Sequence, residues 1–248
     1  MALKALIFDV DGTLAETEET HRLALNETFA AFGLPWIWDQ PTYRRLLNVM
    51  GGKERIRHYV AFDHPPMGDA ALAALPALHA AKNARYAALI AAGGIKLRPG
   101  VERLIREARS AGLKLGIATT TSASNVEALL AATLGSEGPR LFDAVAAGDQ
   151  VGQKKPAPDI FNLAIRELGV EPGEAIAFED TVYGLKAATA AGLKSVVTPS
   201  FYTDDQDFSG AAAVFETLGE PNRPARHISG AGAEESMVTV AMLRALAA

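Results

Sequence analysis

The sequence predicts an α/β protein: a doubly wound, Rossmann-like parallel sheet with an α-helical cap inserted after its first strand. Three observations predict it. Apolar runs of strand length recur, each followed by a segment with helical spacing, as in parallel sheets covered on both faces. Between residues 15 and 95 the strand-like runs stop and helical patterns take over. Several runs end in residues able to carry chemistry, at the edge where open α/β sheets hold their ligands.

The elements follow in order. ALIFDV at 5–10 is the first strand. Glu16, Glu18 and Glu19 then suit the first turn of a helix, whose stripe Leu25, Phe29 and Phe32 ends at Gly33. An Ala-rich helical stretch from Asp69 to Ala92 is interrupted by Pro76, and LRPG at 97–100 returns the chain to the sheet. LKLGIAT at 113–119, FDAVAAG at 142–148, EAIAFED at 174–180 and LKSVVTP at 193–199 supply further strands. Phe161, Ala164, Ile165 and Leu168 recur at i, i+3, i+4 and i+7, with Pro156 and Pro158 before them and Gly169 after. The expected organisation is a core of residues 1–14 and 96–218, a helical cap of 15–95, and a tail of 219–248. The tail reads as a Pro/Arg/Gly-rich linker and a terminal helix, MVTVAMLRALAA, of unknown role.

At 248 residues the chain can bury a large core without disulfide or structural metal. The lack of cysteine excludes disulfides, thiol catalysis and Cys-ligated zinc. A net charge of −5 argues against nucleic acid or an anionic membrane as partner. No apolar run reaches the ~18 residues of a membrane span. The start, Met-Ala-Leu-Lys and a short strand, is too soon acidic for a signal peptide. A soluble, cytoplasmic monomer is the expectation.

The stretch FDVDGTL places Asp9 and Asp11 two residues apart before a glycine. A hairpin turn would need a second strand pairing straight back, and none follows. A calcium loop would need glycine and an acid where Leu14 and Thr20 stand. A reactive site remains, and three other strand ends bear on it. Thr119-Thr120-Thr121-Ser122 offers hydroxyls and free amides to an anion, or simply an N-cap. Lys154-Lys155-Pro156 offers a point charge to a phosphate, or a solvated loop lysine. Glu179-Asp180 adds two acids whose repulsion needs a reason. Mg²⁺ held by Asp9, Asp11 and Asp180 would supply it, and the absence of Cys and His from these motifs disfavours zinc.

D-x-D-G-T, a strand-end Thr/Ser, a Lys before Pro and a later E-D together resemble the haloacid dehalogenase-like phosphohydrolases. The phrases FDVDGTLAETEETHR, GGKERI, ATTTSASN and KKPAPDIF resemble its CbbY-type branch. The resemblance covers roughly residues 4–215 and implies a Mg²⁺-dependent sugar-phosphate phosphatase with a helical cap. The branch is associated with xylulose 1,5-bisphosphate, an inhibitory by-product of Rubisco in the Calvin cycle. By that likeness Asp9 is the nucleophile, ionised without help because a free Asp titrates near ~3.9. Asp11 is the general acid and base, with its backbone carbonyl rather than its carboxyl on the metal. Lys155 offsets anionic repulsion, Thr119 and Thr120 hold phosphoryl oxygens, and Glu179 acts beside the metal. A β-phosphoglucomutase-like mutase is the alternative; the mutases carry a lysine after the strand-end serines, where this chain has Ser122-Ala123.

Specificity is then expected from the cap. Residues 41–60 hold Arg44, Arg45, Lys53, Arg55 and Arg57 against one acid, Glu54. Arg44, Arg45 and Arg57 read as a solvated helix face. Gly51-Gly52-Lys53 with Arg55 reads as an anion site, because paired glycines allow close backbone approach. Lys82 and Arg85 at i and i+3 could complete a second phosphate site. Glu18 and His21 could meet sugar hydroxyls, and Thr121 and Ser122 complete the expected substrate-binding set.

Overall fold

The structure is a computed structural model that describes residues 2–148 and 150–248. Seven strands form one sheet: β1 (Ala5–Phe8), β2 (Lys114–Ala118), β3 (Ala144–Ala146), β4 (Ala175–Glu179), β5 (Lys194–Val197), β6 (Ala213–Phe215) and β7 (His227–Gly230). Their order is β3-β2-β1-β4-β5-β6-β7. β1 to β6 run parallel and β7 closes the edge antiparallel to β6. The sheet reverses its winding at β1, which is where a ligand crevice opens in such folds.

The pleat divides side chains by size. Leu6, Phe8, Leu115, Ile117, Ile176 and Phe178 point to one face, where Phe8 stacks on Phe178 with centroids 4.5 Å apart. That face is covered by α6 (Val101–Ser110), α7 (Ala123–Leu134) and α10 (Val240–Ala247). The small residues Ala5, Ala118, Ala175 and Ala177 are on the other face, against α8 (Asp159–Leu168) and α9 (Val182–Ala190).

Between β1 and α6 lie five helices: α1 (Glu18–Ala31), α2 (Gln40–Leu46), α3 (Gly52–Asp63), α4 (Gly68–Ala73) and α5 (Leu75–Ala91). They bury a separate apolar cluster that includes Leu25, Phe29, Trp36, Trp38, Tyr43 and Leu78. Phe29 meets both tryptophan rings edge-on, at centroid distances of 5.2 and 5.0 Å. The chain enters and leaves through a narrow neck, where Ala15 bridges Leu97 antiparallel. The buried Arg98 guanidinium fastens this neck by donating to the carbonyls of Gly12, Thr198, Pro199 and Glu216.

Two features differ from the sequence expectation. The tail is not a detached linker: residues 227–230 form the edge strand β7, and Val238, Val240, Met242 and Leu243 are buried in the main core. The strand was hidden because HISG is short, exposed and carries a Gly, as edge strands do. Arg44 is not simply a solvated surface residue. It donates to the Phe201 carbonyl at 2.5 Å and pairs with Asp204 at 2.8 Å, tying α2 to the loop after β5. From that loop Tyr202 enters the helical cluster and donates to Glu19 Oε2 at 2.6 Å. Among the described residues no helix is long and apolar enough to cross a membrane.

Leu243 is fully buried beneath the sheet. Leu243→Ala should therefore cost about 2–5 kcal/mol of stability, read as a lowered midpoint in urea unfolding at unchanged slope. A loss under about 1 kcal/mol would mean that α10 is dispensable to the core.

Candidate active site

Register alone brings the acids together. Phe8 is level with Ile117 and Phe178 on its two neighbouring strands, so the residues that follow emerge side by side. Asp9 is tied there by its backbone N–H to the Phe178 carbonyl at 2.9 Å. Lys155, from the loop before α8, points back over this edge. Its ammonium donates to Asp9 Oδ1 at 2.6 Å, Glu179 Oε1 at 2.5 Å and the Ala118 carbonyl at 2.9 Å. All three of its donors are used, and the side chain is 1% exposed, so the solvated-lysine reading fails.

One oxygen from each of Asp9, Glu179 and Asp180 lies within 4.8 Å of the others. Gly12, at φ 80°, lets the turn after Asp11 press against Asp180, whose carboxylate fills the space a Cβ would need. Three buried carboxylates thus face one ammonium. Burial pushes Asp9 up to about 8 despite Lys155, with Glu179 adding to the rise. Burial likewise raises Glu179 and carries Asp180 well above the usual carboxylate range. The expectation that Asp9 ionises unaided does not hold, because the free-residue value ignores desolvation.

The donor set fits a hard divalent cation. It is all oxygen, it is short of positive charge, and Asp180 Oδ1 is buried without a hydrogen-bond partner. The Asp11 carboxylate lies outside this cluster, which leaves its backbone carbonyl as the metal ligand expected from the sequence, and Glu179 adds a carboxylate that the expected ligand set did not include. Asp11 Oδ1 accepts from the Thr17 hydroxyl at 2.5 Å and from His21 Nε2 at 3.0 Å. Lys82 Nζ lies 2.7 Å from His21 Nδ1. An ammonium only donates, so Nδ1 accepts and Nε2–H points at Asp11. Burial would raise Asp11, but His21, Thr17 and the nearby Lys82 outweigh it and hold the carboxyl down at about 2.

Above this edge a cleft runs between the sheet and the five helices. Its inner half is lined by Asp9, Thr119, Lys155, Asp180 and Tyr183, its outer half by Gly51, Gly52, Lys53, Lys82 and Lys154. Asp11, Glu18, Arg55 and Thr120 line both halves and make them continuous. The outer half takes hydroxyl-bearing residues Thr121 and Ser122 from the sheet side. Ser122 sits at the N-cap of α7 but makes no side-chain cap bond, so the plain capping reading does not account for it. Glu18 Oε2 accepts from the Tyr43 hydroxyl at 2.6 Å, and Arg55 donates to the same hydroxyl at 3.1 Å. Arg55 is thereby fixed across the mouth between the halves.

Arg85 is not brought to the cleft. The buried face of α5 runs through Leu75, Leu78, Lys82, Tyr86 and Ile90. Three residues on from Lys82, Arg85 is rotated off that face and pairs with Glu27 of α1 at the surface. Asn83, His79 and Tyr43 line the cleft without having been singled out, and Lys154, named with Lys155 but given no site of its own, lines it too. His79 lies one turn before Lys82 on α5, a spacing that could have flagged it.

A family model described as haloacid dehalogenase-like hydrolase matches residues 3–192. The chain belongs to the haloacid dehalogenase-like hydrolases. Within that family it falls in the CbbY-type phosphatase branch. It is 51% identical over 218 residues to protein CbbY of Cereibacter sphaeroides, covering 88% of this chain and 94% of that protein. With protein CbbY of Rhodobacter capsulatus it shares 54% over 212 residues, 85% of this chain and 92% of that one. A crystal structure of a CbbY Asp-to-Asn variant from Rhodobacter sphaeroides in complex with xylulose 1,5-bisphosphate superposes with a TM-score of 0.83. It is 48% identical and covers 89% of this chain and 98% of that chain.

The raised acids make a prediction about pH with a definite sign. Without a cation Asp9 keeps its proton in the folded state but loses it in the unfolded chain above ~4. Its contribution to stability is therefore fully present below ~4 and lost as pH rises through about 8. In EDTA the melting temperature should fall over that window. Asp180→Asn removes one repelling acid, so its advantage over wild type should grow with pH. Added Mg²⁺ should raise the wild-type melting temperature at pH 8 and leave Asp180→Asn nearly unmoved.

Proposed function

We propose that this haloacid dehalogenase-like phosphatase releases orthophosphate from a sugar bisphosphate, with xylulose 1,5-bisphosphate the best-fitting substrate. The cleft's two ends carry the reading, the inner one suited to a phosphate held with a divalent cation and the outer one rich in cationic side chains. Lys155 and the acid cluster occupy the inner end, and Lys53, Arg55, Lys82 and Lys154 the outer one, where Asp11, Glu18 and Glu54 are the acids beside them. One phosphate needs one such end; a second anion accounts for the other. The outer end also receives the start of α3, where the N–H groups of Gly52, Lys53 and Glu54 precede the first intrahelical bond, Arg55 N–H to the Gly51 carbonyl. The relative's complex with xylulose 1,5-bisphosphate supports the same substrate class.

In this reading Asp9, which would release its proton to solvent once a divalent cation offset Glu179 and Asp180, attacks phosphorus through Oδ2, since Oδ1 is engaged by Lys155. The P–O bond to the sugar breaks, and the leaving oxygen takes a proton from the Asp11 carboxyl. Water then gives a proton back to Asp11 and attacks the aspartyl-phosphate, freeing Asp9 and orthophosphate. Asp11 can serve as the acid only after leaving Thr17 and His21, which hold it ionised, and taking a proton from solvent. Thr119 and Thr120 face the transferring oxygens. Asp9 and Asp180, with Glu179 beside them, would hold Mg²⁺, which supplies positive charge to the phosphoryl group. The helices of residues 15–95 act as the cap. Against the mutase alternative stands the sequence Ser122-Ala123, which offers no lysine to a returning sugar phosphate.

Two measurements test the reading. Asp9→Asn should abolish phosphate release from any substrate while circular dichroism stays native; turnover near wild type would remove Asp9 from the nucleophile role. The second compares kcat/KM for a pentulose bisphosphate with that for an aryl monophosphate. Lys53→Ala should lower that ratio about 10–150-fold, the worth of one charge-assisted contact. An unchanged ratio would make a monophosphate the better substrate.

A further inference from the structure

Gly51 precedes α3 at φ 93°, and the space its missing Cβ would occupy is filled by the Glu54 carboxylate and the Lys154 ammonium. These two side chains meet across the cleft. Glu54 stands in the first turn of α3, and Lys154 is the residue before Lys155 on the sheet side. Glu54 Oε2 lies 3.4 Å from Lys154 Nζ, an ion pair too loose to count as a hydrogen bond. That oxygen is buried and has no hydrogen-bond partner, and among the described residues Lys154 pairs with no other acid. The sequence assigned an anion to this glycine-lined pocket. In the structure the chain's own carboxylate lies in it.

A carboxylate at the head of a helix, beside a lysine, mimics the anion that the outer half of the cleft is built to take. It is a weak mimic. It carries one negative charge where a phosphate carries nearly two and three acceptor oxygens. Lys154 is a point charge on a flexible stem, with three donors that can turn without losing the Glu54 neighbourhood. A substrate phosphate entering beside Lys53 and Arg55 meets it at once.

We propose that Glu54 is a built-in competitor for the substrate's second phosphate: it holds Lys154 when the outer half is empty and yields it to a second anion. The Glu54–Lys154 pair then sets selectivity between phosphate esters that carry another anionic group and those that do not. A monoanionic or neutral tail leaves Lys154 with Glu54 and gains nothing from it. Gly51 is required because any side chain there would drive the pair apart. The inference rests on the bisphosphate reading and adds to it a residue, Glu54, and the exchange by which Lys154 is released.

The test is kcat/KM for a pentulose bisphosphate over that for an aryl monophosphate, in wild type, Lys154→Met, Glu54→Gln and the double variant. Lys154→Met should lower the ratio by about tenfold or more. Glu54→Gln should raise it several-fold, through KM rather than kcat, and the double variant should lose that gain. A Glu54→Gln ratio below wild type would show that Glu54 props Lys154 in place, and would overturn the competitor role. Preference for the bisphosphate in wild type that survives unchanged in both single variants would overturn the inference alone. No wild-type preference would overturn the bisphosphate reading, and the inference with it.

Discussion

Lys155 lets three strand ends share one buried point, because its ammonium is divided between Asp9, Glu179 and the Ala118 carbonyl. Without it, in-register β1 and β4 would deliver unpaired carboxylates into the same dry space. A buried ion whose partner is removed costs several kcal/mol, of order 3–5. One ammonium against three acids still leaves the edge short of charge, and that shortage is what makes it a cation site. The loops that follow inherit their positions from this point: Gly12 is pressed on Asp180, and Arg98 holds the Gly12 carbonyl beneath the neck.

The cleft above divides its labour by charge and by rigidity. The inner half is built on strand ends and a fully bonded lysine, so its geometry is fixed by the sheet. The outer half is built from side chains of separate helices that meet through polar contacts, such as Arg55 and Glu18 on the Tyr43 hydroxyl. In the proposed function chemistry would sit on the stiff half and recognition on the adjustable one, the division a phosphotransfer site needs when its substrates share a phosphate but differ beyond it.

Much of the core was legible because its signals are local. A strand of four residues followed by Asp9, or Glu179-Asp180 after AIAF, announces both its element and its chemistry within a few positions. What escaped depends on distance in the chain. Whether Asp11 faces the acids or His21 is decided by α1 and by Lys82 from α5, more than sixty residues on. The helical period places Arg85 near Lys82, but only the packing of α5 on α1 shows it turned toward Glu27. Burial also reversed an expectation taken from free amino acids: Asp9 is ordinary in water and raised at a dry sheet edge. β7 was illegible because a short polar edge strand has no periodic pattern to read.

Tyr202 belongs by sequence to the loop after β5, yet its ring lies in the apolar cluster of the five helices, edge-on to Tyr43 at 5.5 Å. The helical unit is thus not the product of one stretch of chain. Recombining relatives at the two neck positions would transplant the helices and leave their plug behind, opening a ring-sized gap where Tyr202 had been. The apolar cluster of the helical unit is therefore built from two segments, the insertion and residues near 200, and a change in one constrains the other.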